Sequence, residues 1–146
     1  MKFFKSRKVK NPQRGTAGSA GIDFFVPDAF PGAQLSPGQS INIPSGIHVR
    51  LPPGRALIMF NKSGVALRNF LQVGACVIDE DYQGEVHLHV TNIGEQPTYI
   101  RPGMKLVQGL VINVDGPEQP SEVKSLEDLY ENHESSRGRG GFGSTG

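Results

Sequence analysis

Ile47-His48-Val49-Arg50-Leu51-Pro52-Pro53-Gly54-Arg55-Ala56-Leu57-Ile58-Met59-Phe60 holds the pattern that decides the fold. Ile47 to Leu51 alternates apolar and polar residues, the period of a strand with one dry face and one wet face. Pro52-Pro53-Gly54 breaks the run with a turn signal. Ala56 to Phe60 is then continuously apolar, as suits a strand buried on both faces. The same grammar spreads outward. Val86-His87-Leu88-His89-Val90 alternates, Leu110-Val111-Ile112 is continuously apolar, and Pro31-Gly32, Pro37-Gly38 and Pro102-Gly103 punctuate the chain. Helical periodicity is confined to Ser63–Asn69 and to Ser125–Tyr130, where Ser125 is placed to cap a short turn with Asp128 at its third position. Many short strands between Gly/Pro turns predict an all-β barrel or double-sheet jelly roll with at most one or two short helical turns. The β pattern ends near Asp115 to Pro120, which divides the chain into a single β-domain, 1–120, and a polar, mobile C-terminal arm, 121–146.

Length and charge narrow the function. At 146 residues the chain is long enough for a real core, and a formal net charge of +1 argues against a nucleic-acid binder driven by bulk charge. A single cysteine, Cys76, excludes an internal disulfide framework and fits a reducing compartment. No apolar run approaches the roughly 18 residues of a membrane-spanning helix. Met1 to Lys10 holds five basic residues without an apolar signal region behind them. They read as a first strand with lysines on its wet face, or as a basic arm. Asn61-Lys62-Ser63 spells a glycosylation sequon that carries little weight without a secretory signal.

Polar signals interrupt this β framework at five places: Ala20-Gly21-Ile22-Asp23, Asn61-Lys62-Ser63-Gly64, Val73 to Gly84, Gly103 to Gly109, and Arg137 to Gly146. In the third, an apolar strand delivers Asp79 directly after Val77-Ile78 and then turns through Glu80, Asp81 and Tyr82. A carboxylate partly desolvated beside apolar residues suits a general base, and an acidic cluster on a turn equally suits a solvated face. Half of the last ten residues are glycine, so that stretch has little area to bury. It reads as a flexible end, or as a segment that brings backbone N–H groups, guanidinium forks and the Phe142 ring to a polyanion. Gly138-x-Gly140-x-x-Gly143 fits a dinucleotide-binding pattern in letters only, since no helix can open in the three residues that remain, and no Walker A loop is present. His87 and His89 share one strand face without the further Cys or His ligands that zinc needs. Cys76 reads as a small buried hydrophobe, and Glu80 and Glu85 as a solvated hairpin rim.

In this order and at these separations, the five segments resemble the five motifs of the homotrimeric dUTPases. Ala20-Gly21-Ile22-Asp23 is similar to the first, Ser63-Gly64 with Ala66 to the second, Gly74 through Gly84 to the third, Gly103 through Gln108 to the fourth, and Arg137 to Gly146 to the fifth. The resemblance implies a distorted jelly roll of the β-clip type. It also implies hydrolysis of dUTP to dUMP and pyrophosphate by water attack on the α-phosphate, which keeps uracil out of DNA and supplies dUMP for thymidylate synthesis. By the resemblance, Asp79 is the base that activates water, and Tyr82 stacks under the deoxyribose and leaves no room for a 2′-hydroxyl. Gly74, Val77, Ile78 and Val86 belong to the hairpin that reads the uracil edge. Lys62, Ser63, Gly64 and Gln108 fall at phosphate positions, and Asp23 holds a Mg²⁺-bound water. Arg137 reaches the γ-phosphate, Phe142 lies over the uracil, and Gly143, Ser144 and Thr145 complete the closing motif.

Two departures stand out. Lys62 occupies a position that usually presents arginine and offers a point charge in place of a bidentate fork. Arg139 stands where a small residue is usual. The partners implied are dUTP and a homotrimer with sites shared between subunits, with no stable nucleic-acid partner and no membrane. The compartment implied is the cytoplasm, or the host-cell cytoplasm for a phage or viral member. The alternatives are a dCTP deaminase-like enzyme and a non-catalytic nucleotide-binding regulatory protein of the same fold.

Overall fold

All four Pro-Gly pairs turn the chain in the same way. Gly32, Gly38, Gly54 and Gly103 take φ of 84°, 78°, 68° and 71°, the left-handed value that the third residue of a type II turn demands and that a preceding proline favours. The computed structural model describes residues 1–114, 119–131, 135, 136 and 138. Met1–Gly116 is one compact unit and Pro117–Gly146 a second.

In chain order the first unit contains β1 (Lys2–Lys5), β2 (Gln13–Arg14), β3 (Ile22–Phe25), β4 (Ala33–Leu35), β5 (Ser40–Arg50), β6 (Arg55–Asn61), α1 (Ser63–Asn69), β7 (Leu71–Val73), β8 (Val77–Ile78), β9 (Glu85–Asn92), β10 (Thr98–Ile100) and β11 (Lys105–Asn113). The second contains α2 (Leu126–Tyr130), whose N-terminal Ser125 hydroxyl accepts the Asp128 N–H at 3.0 Å, as the sequence predicts. The strands form a four-stranded sheet in the order β1-β5-β9-β7, a five-stranded sheet β2-β3-β11-β6-β8 and a pair β10-β4, and every described pairing is antiparallel. The fold is all-β and jelly-roll-like, with two short helices among the described residues. The inward faces meet in a core that includes Phe24, Phe25, Ile43, Ile47, Leu57, Leu71, Leu88, Ile100 and Leu106.

The deciding stretch folds as read in most of its length. Ile47 is buried in the bulged β5, and Ala56, Leu57 and Met59 are buried in β6, but Phe60 near the end of β6 is 45% exposed, against the expectation of burial on both faces. The basic N-terminus forms a strand, with β1 pairing on β5. Leu110-Val111-Ile112 departs from the expectation of burial on both faces, since Ile112 is 41% exposed. Past Gly109 only β6 still pairs with β11, because the β3 ladder ends at Ile22↔Gly109.

Glu85 also corrects the sequence reading. Its carboxylate accepts the Gly46 N–H and pairs with Arg7 at 2.8 Å, with the Glu85 side chain 15% exposed. Gly46 sits in the β5 bulge at φ 77°, and the ion pair ties the bulge and the N-terminal segment to β9. Glu80 stays at the exposed rim, where it accepts the Gly54 N–H at 2.6 Å.

Candidate active site

The middle of the five-stranded sheet carries a buried charge. Asp23 lies on β3 at 4% exposure, and its two carboxylate oxygens take different cations: Lys62 Nζ bonds Oδ1, and Lys105 Nζ sits 3.1 Å from Oδ2. Burial pushes this carboxyl up, but the hydrogen bonds and charges of Lys62 and Lys105 outweigh it and hold the group below the usual carboxylate value. The strand order makes the cluster, since β11 lies between β3 and β6 and brings Lys105 beside Asp23, while Lys62 follows directly on β6.

Gln108 pairs with Asp23 on one side and Phe60 on the other, and its Nε2 donates to the Asn61 carbonyl at 2.9 Å. A Cβ on Gly21 would overlap the Gln108 side chain, which accounts for glycine there. Ser63 and Gly64 open α1 directly after Lys62, where backbone N–H groups have no intrahelical acceptor. Lysines, a glutamine amide and free backbone N–H groups on adjoining segments form a donor set suited to phosphate oxygens.

A second constellation lies on the β7–β9 side. A cleft of about 290 Å³ is lined by Ala75 to Asp79, Tyr82, and Glu85 to His87 of the hairpin, together with Asn42 from β5. Tyr82 is 42% exposed, and its hydroxyl donates to the Glu85 carbonyl at 3.0 Å, so the ring has a fixed tilt on the cleft wall. The Tyr82 N–H reaches the Asp79 carbonyl at 3.3 Å and closes the acidic turn. Ile78 and Val86 are buried beneath it, and Val77 is 60% exposed. Asp79 departs from the expected partial desolvation, since in the single chain its side chain is exposed. The turn projects it past the end of the two-residue β8, beyond the apolar side chains that precede it.

The structure therefore gathers Asp23, Lys62 and Gln108 in one place and Val77, Ile78, Asp79, Tyr82 and Val86 in another, with Gly74 adjoining the second. None of the cleft's lining residues belongs to the Asp23 cluster. Arg137, Arg139, Phe142, Gly143, Ser144 and Thr145 lie outside the described residues.

Three residues that sequence reasoning missed now stand out. Lys105 pairs with Asp23. Asn61 links the constellations, since its Oδ1 accepts the Val73 N–H at 2.7 Å while its carbonyl takes Gln108. His89 accepts the Ala75 N–H through Nδ1 at 2.8 Å. Lys105 lies inside the fourth polar segment and was within reach of a reading by position. The roles of Asn61 and His89 depend on strand neighbours that no local pattern discloses. Among the described residues no three His, Cys, Asp or Glu side chains gather as a metal cage. Both Asp23 oxygens already face ammonium groups, so that donor set does not suit direct ligation of a cation. A carboxylate offers about four lone-pair positions, which leaves room for a water-mediated contact.

A donor-rich cluster and an aromatic-walled cleft on a jelly-roll frame are of the kind that suits a nucleotide-handling protein. Residues 7–146 match the model of the dUTPase family, and the chain belongs to that family. It is 36% identical over 150 residues to deoxyuridine 5′-triphosphate nucleotidohydrolase of Chlamydia muridarum, covering 100% of this chain and 99% of the relative. It is 34% identical over 141 residues to the enzyme of that name from Mus musculus, with 97% and 81% covered. Among solved structures, a Staphylococcus bacteriophage 80alpha dUTPase variant with dUpNHpp superposes with a TM-score of 0.83 at 20% identity, covering 99% of this chain and 97% of that one. A phage phi11 dUTPase variant of S. aureus, described with a structural Mg(II) ion, gives 0.74 at 18% identity, with 86% and 97% covered.

Proposed function

We infer that this chain is a dUTP diphosphatase that hydrolyses dUTP to dUMP and pyrophosphate. The family match and the full-length relatives support the reaction. The observation in the structure that carries it is the pairing of a small aromatic-walled cleft, lined in part by the Asp79 turn, with a separate cluster of phosphate-type donors.

In this reading the cleft holds deoxyuridine. The Gly74 to Ile78 and Val86 backbone presents hydrogen-bonding groups to the uracil edge. The Tyr82 ring, fixed through the Glu85 carbonyl, lies against the deoxyribose where a 2′-hydroxyl would need space. Asp79 takes a proton from the attacking water as the bond to the α-phosphorus forms. Lys62, Ser63, Gly64 and Gln108 hold the phosphate chain. Lys62 does so as a point charge, with Lys105 keeping Asp23 paired whenever Lys62 turns toward phosphate. Mg²⁺ belongs to this reading as a companion of the triphosphate, held from the protein side by Asp23 through a water. When bound, it gathers and neutralises the phosphate oxygens.

The separation of cleft and donor cluster supports a homotrimer in which one subunit's hairpin meets groups of another. Arg137, Phe142, Gly143, Ser144 and Thr145 would close over the nucleotide, Arg137 on the γ-phosphate and Phe142 on the uracil.

The deciding experiment is pyrophosphate release from dUTP, dTTP, dCTP and UTP with Mg²⁺ present. Release from dUTP well above the other three is the expected result. Ammonia release from dCTP would favour a deaminase, and binding of dUTP without turnover would favour a regulatory protein. Shared sites are tested by co-refolding Asp79→Asn chains with chains lacking Arg137–Gly146. Each is expected to be nearly inactive alone, and mixed trimers are expected to regain turnover. Confirmed mixed trimers without recovery would show that hairpin and tail come from one chain.

A further inference from the structure

Four consecutive residues beside the cleft are pinned by four different hydrogen bonds. The Val73 N–H donates to Asn61 Oδ1 at 2.7 Å, the Gly74 N–H to the His89 carbonyl at 3.0 Å, the Ala75 N–H to His89 Nδ1 at 2.8 Å, and the Cys76 carbonyl accepts the Met59 N–H at 2.7 Å. His89 supplies two of the four, one from its backbone and one from its ring. A Cβ on Gly74 would overlap the His89 ring at Nδ1 and Cε1, so ring and glycine are fitted to each other. These bonds leave the Cys76 N–H and the carbonyls of Val73, Gly74 and Ala75 as the backbone polar groups of the segment that they do not engage, and Ala75 and Cys76 line the cleft. We propose that His89 is a positioning residue for base recognition, and that its ring nitrogen sets the backbone direction of the cleft wall that reads the pyrimidine.

The ring must be an acceptor at Nδ1, which requires the neutral tautomer carrying its proton on Nε2. An ordinary outward residue at this strand position would leave the Ala75 N–H without that partner, and the segment would keep only its bonds at Val73, Gly74 and Cys76. A wall that can rotate its peptide planes discriminates less well between pyrimidines, because recognition by backbone groups depends on preset direction. The contribution belongs to nucleotide binding and specificity, since His89 itself is not among the residues lining the cleft. The proposal rests on the dUTP reading for the identity of the base and on geometry alone for the pin.

The test uses the full chain with His89→Leu and His89→Asn, the second keeping an acceptor oxygen near the Nδ1 position. His89→Leu is expected to raise KM for dUTP about tenfold, the scale of one lost hydrogen bond, while kcat changes by less than about threefold. It should also narrow the dUTP-to-dCTP ratio of kcat/KM, and His89→Asn should recover most of both losses. In the free protein, amide exchange at Ala75 should quicken about tenfold in His89→Leu while Val90 exchange stays unchanged. The ¹⁵N shift of Nδ1 should be that of an unprotonated acceptor. Unchanged KM and Ala75 exchange in His89→Leu would overturn the proposal, as would failure of His89→Asn to improve on it. Absence of dUTP turnover in the unsubstituted chain would strike the dUTP reading instead. The Ala75 exchange measurements, which use no nucleotide, would still uphold or overturn the pin.

Discussion

Asp23 and Asp79 are both aspartates beside short apolar stretches, Asp23 within β3 and Asp79 just past β8, and the fold treats them in opposite ways. Asp23 is buried at 4% exposure between two ammonium groups and is held ionised. Asp79 stands on an exposed turn at the mouth of a cleft. A carboxylate already committed to two lysines is a poor proton acceptor, because protonation would abandon both pairs. An exposed carboxylate can accept a proton and becomes selective once the site closes around it and excludes water. The single chain thus preorganises the paired charge at Asp23 and leaves the Asp79 carboxylate open to solvent.

The largest break in that contrast is Asp79→Asn. The amide keeps the shape and cannot take the proton, so kcat should fall about 10²–10⁴-fold, with thermal unfolding and binding of a non-hydrolysable dUTP analogue little changed. Turnover like the parent's would transfer the base role elsewhere. Removing Arg137–Gly146 should come next, with a loss of about 10² in kcat, the scale of losing preorganised donors on developing charge. The β-domain should keep its melting temperature, and a low melting temperature would make the segment structural.

The contrast was only half legible in the sequence. Period-2 alternation and the Pro-Gly turns are local signals, and they disclosed most strands and the all-β class before any pairing was known. The turn that carries Asp79 and Tyr82 was legible because it follows directly on an apolar strand, but the exposure of Asp79 was not. The pairing of Asp23 with Lys62 and Lys105 was not, because it needs β11 to lie between β3 and β6, and strand order is a non-local property. Glu85 misled for the same reason: its partners Arg7 and Gly46 lie 78 and 39 residues away. The exposure of Ile112 reflects where the β3 ladder ends, which composition does not reveal.

Tyr82→Ala sharpens the cleft side of the comparison. On the proposed reading the ring stands where a 2′-hydroxyl would need space, so its removal should lower the dUTP-to-UTP ratio of kcat/KM by about tenfold, within the range a single steric contact supplies. Binding of dUTP should weaken by less. An unchanged ratio would place sugar discrimination on another residue.

The smallest expected effect separates the two aspartates by pH. The Asp23 carboxyl titrates below its ordinary value of 3.8 in the folded chain. Its ionised form therefore favours the folded state at any pH above that value, and the contribution disappears as pH falls through the lower, folded one. Asp23→Asn removes the contribution at every pH and leaves Lys62 and Lys105 without their shared anion. Because Lys62 is 24% and Lys105 49% exposed, water can take over much of their solvation, and the loss should be about 1–2 kcal/mol at neutral pH. Urea unfolding from pH 7 down to about 3 should show a constant gap between parent and variant above roughly pH 5. The gap should then narrow as the parent loses its ion pairs in acid. Asp79→Asn should show no comparable gap, since that carboxylate is exposed. A gap that stays fixed through the acid range would mean that packing or hydrogen-bond shape at position 23, and not its charge, carries the difference.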